Sequence, residues 1–520
     1  MLGIMEPGVY TLFLFRAEEH RMHQQKSVES LESSMAQAVA WNAAARWATQ
    51  IVSWFGTMLV ARLLTPYDYG IVGMAAVYLV FAILITQAGI GDAIIAFRNL
   101  TPRQVAQLNS ISLFAGLALV GLSCALASPL ASFFSAPPLR AVIMVSSTVC
   151  LLNAFQEVPK ALLQREMRFK LLAVSESIRS GAQIIVTLLL AALKFRYWSL
   201  VVGNVFASAV QSLFILYWRR QVFAIPRLDQ LSRELKFSLH ALLSRACWYI
   251  YDNSDFAVAG RVLGEVPLGS YTVAWTIASA PVEKITNMVT GVTPAYFSAV
   301  QHCKSELRRY LLKLTEIISL VTLPASVGLA LSADYLVPVL LGPKWYAVIG
   351  PLRLLGIFVA ARSVTTIFPN LLTAIGDARF VMWIMIGSAV FMPIVFLIGA
   401  RWGTNGIAAA WVFAYPVIAF PLYYRIGRKT ELGAKEYIWA LLPSVSGSLV
   451  MAVVVVLIRW AFQGIAHSPA TLCLVVLGGA ISYCAALYIF HRARIARLID
   501  AGRRTMLTKA ANVAVQDEAS

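Results

Sequence analysis

Ala61-Arg-Leu-Leu-Thr-Pro-Tyr-Asp-Tyr-Gly70 has a second, looser copy in the same chain, Gly260-Arg-Val-Leu-Gly-Glu-Val-Pro-Leu-Gly269. Each copy holds a small residue, Arg, an aliphatic residue, Leu, five variable positions and Gly, so Arg62 aligns with Arg261 and Gly70 with Gly269 at an offset of 199 residues. A long apolar segment precedes and follows each copy. The motif therefore reads as a tight bend between two membrane helices. Solenoid repeats have periods of about 20–50 residues, much shorter than this one. The spacing fits a transporter built from two parallel halves.

Composition supports that frame. Of 520 residues, 59% are apolar and only 13% charged, and the mean hydropathy is +0.72. Soluble domains carry about a quarter charged residues, whereas each membrane helix needs roughly 20 apolar ones. The expected fold is an all-α polytopic membrane protein with about fourteen transmembrane helices. A net charge of +18 would point to nucleic acid in a soluble chain. Here it is read as topology, and no nucleic-acid partner is expected. The six cysteines form no CxxC pair and the six histidines show no ligand spacing, so neither disulfides nor structural zinc are expected.

In chain order, residues 1–35 read as a cytoplasmic tail, because the apolar run Val9–Phe15 is too short to span and lacks a cleavage site. Met35 directly precedes the first span and is a candidate alternative start. Residues 36–235 are expected to form an amino-terminal lobe of helices 1–6, and residues 236–430 a carboxyl-terminal lobe of helices 7–12. Residues 431–490 hold helices 13 and 14, and 491–520 a basic cytoplasmic tail. The similarity of Pro159-Lys-Ala-Leu-Leu-Gln-Arg-Glu-Met-Arg-Phe169 to Pro369-Asn-Leu-Leu-Thr-Ala-Ile-Gly-Asp-Ala-Arg-Phe380 extends the repeat to the fourth span of each lobe. Arginine and lysine crowd the loops of one face, as at Arg165, Arg168, Arg219, Arg220 and Arg492. Under the positive-inside rule that face and both termini are cytoplasmic.

Ionisable residues inside spans cost several kcal/mol unless they face a cavity or a partner. Span 1 carries Asn42, Arg46, Gln50, Ser53 and Thr57 on one helical face, and span 7 carries Arg245, Asp252 and Asp255. The repeat offset places Arg46 on Arg245. Two readings stand for this pair: arginines lining a cavity, or arginines snorkelling to headgroups from helix ends. Asp252 is expected either to pair with Arg245 or to take up a coupling ion. Glu176 and Arg179 in span 5, and Glu283 and Lys284 in span 8, are expected to find partners on other helices. Arg353 and Arg362 complete the set in span 10, Arg353 close to the outer interface. A cavity lined by Arg46, Arg179, Arg245, Lys284 and Arg362 would favour an anionic group, since guanidinium matches phosphate oxygens. No P-loop, GxSxG or HExxH motif occurs, so no enzymatic centre competes.

The first bend, together with Leu162-Leu-Gln-Arg-Glu-Met-Arg-Phe169, Tyr197-Trp-Ser-Leu-Val-Val-Gly203, Pro294-Ala-Tyr-Phe-Ser298 and Leu341-Gly-Pro-Lys-Trp345, resembles the bacterial polysaccharide transport family. These are the Wzx-like oligosaccharide-lipid flippases of the multidrug/oligosaccharidyl-lipid/polysaccharide exporter superfamily. The resemblance spans about residues 36–490, and the extension 1–35 departs from it. It implies two six-helix lobes working by alternating access in the bacterial inner membrane. The implied substrate is a polyprenyl-pyrophosphate-linked oligosaccharide repeat unit for exopolysaccharide or lipopolysaccharide. A polysaccharide polymerase and a chain-length regulator are the implied partners. No cofactor is expected, and coupling to protons or sodium is left open. A multidrug or cation antiporter of the same superfamily and a peptidoglycan lipid-precursor flippase are the alternatives. A polymerase or glycosyltransferase would need a sizeable outer loop, which the chain lacks.

Overall fold

The computed structural model describes residues 54–86, 90–97, 99–226, 246–290, 303–462 and 468–517, with 293, 297 and 301 between them. Among these residues the secondary structure is helical throughout, without a strand. Residues 56–492 form one compact unit; residues 1–55 and 493–520 are grouped separately.

In the amino-terminal half, α1 (54–63) leads into α2 (Pro66–Thr86), the short α3 (Ile90–Ala96) and the long α4 (Pro102–Phe133). α5 (Leu139–Ser146) and α6 (Thr148–Arg165) together make one crossing, followed by α7 (Phe169–Ala192) and α8 (Trp198–Trp218). The carboxyl-terminal half runs through α9 (246–258), α10 (Glu265–Thr290), α11 (Lys304–Leu340), α12 (Ile349–Thr365) and α13 (Ile367–Ala374). α14 (Ala378–Gly399) and α15 (Gly403–Thr430) complete it, and α16 (Ala434–Ala461) and the helical run α17 (Pro469–Asp517), broken by non-helical backbone at His491, follow. Ten helical stretches among the described residues are long and apolar enough to cross a membrane.

Local chemistry fixes the helix ends. Thr101 caps α4 by accepting from the Gln104 N–H, while the Gln104 side chain accepts from the Thr101 N–H, and Pro102 occupies a position where its missing N–H costs nothing. The first bend uses the same device. The Asp68 carboxylate accepts from the backbone N–H of Thr65 (2.9 Å) and its hydroxyl (2.6 Å), ahead of Pro66. The second bend is built differently: α9 ends in a π turn at Ala259–Leu263, and Gly264 follows at φ +88°. That backbone region is open to glycine at little steric cost.

Large apolar side chains such as Phe114, Ile185, Leu213 and Phe413 point outward, as lipid-facing positions do. The most deeply buried large side chains, Trp345, Trp411, Tyr271 and Phe358, lie instead in the carboxyl-terminal half. Helix α16 packs along α11, where Ser319 and Ser444 hydroxyls meet at 2.8 Å. The Tyr483 hydroxyl of α17 donates to the Leu320 carbonyl of α11 at 2.7 Å.

Candidate functional site

The two copies of the repeated bend lie against each other. Helices α2 and α10, each beginning just after its bend, pack together across the halves. A Cβ added at Gly70 would sit 1.8 Å from the Glu265 carbonyl oxygen, and one added at Gly269 would sit 1.8 Å from the Pro66 carbonyl oxygen. Backbone meets backbone there, and only glycine permits it. Further along the same contact, the Tyr249 hydroxyl of α9 donates to the Val77 carbonyl of α2 at 2.7 Å.

The paired arginines complete the exchange. Arg62, at the end of α1, donates from Nε to the Leu340 carbonyl (2.6 Å) and also to the Val339 carbonyl. Those oxygens belong to the last turn of α11, whose carbonyls have no helical partner. In return Lys344 donates to the Arg62 carbonyl (2.6 Å) and the Trp345 indole to the Ala61 carbonyl (2.9 Å), satisfying the end of α1. Arg261 reaches over Phe133 at the end of α4, 5.3 Å from the ring centroid. Each motif arginine thus docks on the third long helix of the opposite half. The sequence marked Leu341–Trp345 and the bend as separate motifs. The fold makes them two sides of one contact.

Deeper in the carboxyl-terminal half lies a cluster of charge and aromatic rings. Asp252 and Asp255, one helical step of three apart on α9, face into it. Asp252 pairs with Arg362 of α12 at 2.7 Å; Arg245, the partner that one reading of the sequence gave it, lies outside the described residues. The Arg362 guanidinium also lies 6.0 Å from the Trp275 ring and 5.8 Å from that of Phe358. Asp255 has no exposed surface. Its carboxylate accepts from the Tyr271 hydroxyl (2.7 Å), the Trp411 indole N–H (2.9 Å) and the Phe256 backbone N–H (2.8 Å). Trp411 stacks on Phe358 at 4.6 Å and Tyr251 meets it edge-on at 5.6 Å. Helices α9, α10, α12 and α15 all contribute.

The amino-terminal half has no counterpart at the aligned position. The 199-residue offset aligns Asp255 with Gly56, where a Cβ would lie 2.5 Å from the Ile184 side chain. What that half offers is a hydrogen-bonded ladder between α7 and α8. Arg179 lies 3.5 Å from Glu176 and 3.4 Å from the Asn204 side-chain oxygen, and Gln211 donates to Glu176 at 2.9 Å. Glu176 and Arg179 therefore meet each other as well as partners on another helix; spaced three apart, they share a face.

The remaining candidates fall in three groups. Arg46, Gln50 and Arg245 lie outside the described residues, and so does the match between the two arginines. Lys284 lies on α10, with its side chain outside the described atoms. Arg353 pairs with Asp334, which also binds Arg459. The sequence did not single out Tyr271, Trp275, Phe358 or Trp411. Nothing in their local spacing marks them, because three separate helices bring them together.

A many-helix membrane fold with two halves joined through repeated bends defines a polytopic transporter-like protein. The sequence profile described as "Polysaccharide biosynthesis protein" matches residues 59–350. The chain belongs to that family. It is 26% identical over 479 residues to the succinoglycan biosynthesis transport protein ExoT of Rhizobium meliloti (strain 1021), covering 89% of this chain and 95% of that protein. It is 24% identical over 426 residues to the lipopolysaccharide biosynthesis protein WzxC of Escherichia coli (strain K12), covering 79% and 85% respectively. In fold it is similar to the lipid II flippase MurJ in an inward closed conformation, with a TM-score of 0.73 and 14% identity over 87% of this chain and 99% of that one.

Proposed function

We propose that the protein is a flippase that moves polyprenyl-pyrophosphate-linked oligosaccharide repeat units across the bacterial inner membrane for exopolysaccharide or lipopolysaccharide assembly. The observation that carries this reading is the near full-length similarity to a protein named for succinoglycan transport, within a polysaccharide biosynthesis family. The physical need is plain. Sugar hydroxyls and two phosphate charges cannot cross hydrocarbon unaided, since each unpaired polar group costs several kcal/mol there.

In this reading the contact at Gly70 and Gly269 is the gate on the outer face. Breaking it, and re-forming it after release, would alternate access between the leaflets. Arg46, Gln50, Arg179, Arg245, Lys284 and Arg362 are the candidate contacts for pyrophosphate and sugar. Asp252 and Asp255 are candidates for coupling to a proton or sodium ion, because Asp252 already pairs with the Arg362 cation and Asp255 lies fully buried in the same cluster. Both termini lie in the cytoplasm, and a polymerase and chain-length regulator act downstream. The test is a strain lacking this chain. It should lose surface polymer and retain lipid-linked repeat units in the cytoplasmic leaflet, and normal polymer would refute the assignment.

A further inference from the structure

A cavity of about 430 Å³ opens in the amino-terminal half, where the first turns of α4, the last turns of α6 and the segment after α8 converge. Its wall is mixed. Val105 and Leu162 supply apolar surface, and Asn109, Arg165, Arg219 and Arg220 supply polar groups. This end of the fold carries the arginine-rich loops that the positive-inside rule assigns to the cytoplasm.

Two buried atoms of this wall have no hydrogen-bond partner among the described residues: Arg165 Nη1, a donor, and Asn109 Oδ1, an acceptor. Asn109 is 2% exposed, and its Nδ2 is already engaged by the Val222 carbonyl at 3.2 Å. Arg219 is answered by Glu166 at 2.8 Å. No ion pair of Arg165 or Arg220 occurs among the described residues. The cavity wall thus holds positive charge without a carboxylate partner among the described residues and an acceptor, buried just behind the surface, that is likewise unanswered.

A second cavity, of about 410 Å³, provides the contrast. It lies at the first turns of α11, the helix that takes the place of α4 in the other half, and contains Arg308 and Arg309. There Arg308 pairs with Glu436, and Arg309 with Glu306 at 3.2 Å. Arginine at this end of the protein is ordinary; arginine left without a carboxylate inside a cavity is not.

We propose that the first cavity seats a phosphate-bearing headgroup, that of a membrane phospholipid. Arg165 and Arg220 would take the phosphate oxygens, in the forked geometry guanidinium favours. Asn109 Oδ1 would accept from a hydroxyl or ammonium of the same headgroup. Pockets of about 300–1,000 Å³ suit small organic ligands, so inorganic phosphate would leave most of this one unfilled. The apolar wall, with Val105 and Leu162, matches the first acyl carbons. Basic pockets between membrane helices on the cytoplasmic side bind headgroups in this way.

The experiment uses the full chain in neutral detergent, with bound lipid read by native mass spectrometry. Phosphatidylglycerol and phosphatidylethanolamine, which carry both phosphate and a donor, should be retained at about tenfold lower concentration than phosphatidylcholine, which lacks the donor. The double variant Arg165→Gln/Arg220→Gln should lose this advantage, while Arg379→Gln/Arg428→Gln, an equal charge change at the same end, should keep it. Arg220→Gln alone, at an exposed side chain, should show an intermediate loss and guards against misfolding of the double variant. Equal retention of all three lipids, or unchanged retention by the Arg165/Arg220 variants, overturns the proposal. Inorganic phosphate competing with lipid at equal concentration would assign the site to a soluble phosphate group and overturn the lipid assignment.

Discussion

A carboxylate with no exposed surface has to be met by donors from the protein, and Asp255 is met by three. Hydrogen bonds to charged groups contribute about 1.5–3 kcal/mol each, so Tyr271 and Trp411 hold α9 to α10 and α15 through a single side chain. Asp252 and Arg362 extend the same logic between α9 and α12. Removing one member leaves the other charge uncompensated in a poorly solvated place. Asp252→Asn and Arg362→Gln should each destabilise the purified protein. The double-mutant cycle, measured by thermal unfolding in detergent, should return a coupling of about 0.5–3 kcal/mol. Additive losses would mean that the pair does not act as one unit. Asp252, Asp255 and Arg362 were legible as residues, because charge inside an apolar span stands out. Their pairing was not: Arg362 lies on a different helix, and periodicity carries no information across helices. The aromatic ring around them was invisible for the same reason, since tryptophan and tyrosine are ordinary inside membrane spans.

At the scale of elements, the repeat was the most legible feature, and the bends lie where the sequence put them. What the sequence could not give was the surface each bend docks on. The glycines at 70 and 269 mark the end of each copy of the bend motif, yet neither adopts a left-handed backbone conformation. They are required because α2 and α10 approach within a Cβ's reach of each other's carbonyls. A side chain there cannot escape by changing rotamer, as the obstacle is backbone. Gly70→Val and Gly269→Val should each reduce polymer export at least about tenfold at unchanged protein level, an effect of about 1.4 kcal/mol. Gly121→Val, where the added Cβ meets nothing within 4 Å, should export normally. The comparison is made in a complementation assay of surface polymer. Wild-type export by both seam variants would remove the crossing from the transport cycle.

For the whole molecule, asymmetry within the repeat is the informative result. The halves share bends and helix order, but the aromatic-ringed carboxylate Asp255 aligns with a glycine, Gly56, in the other half. In the proposed cycle the two similar halves would exchange access, and the Asp252–Arg362–Asp255 cluster is the proposed place where an ion or an anionic headgroup would bias it. Any ligand moves such an equilibrium only by its differential affinity for the two states. The account is tested most directly in proteoliposomes containing the purified protein and a fluorescent polyprenyl-pyrophosphate-linked oligosaccharide, with sidedness read by a quencher or enzyme confined outside. It predicts that the label becomes accessible from both leaflets within the assay, and that the Gly269→Val protein leaves it confined to one. Label that stays one-sided with the wild-type protein, under imposed proton and sodium gradients alike, would contradict the flippase reading.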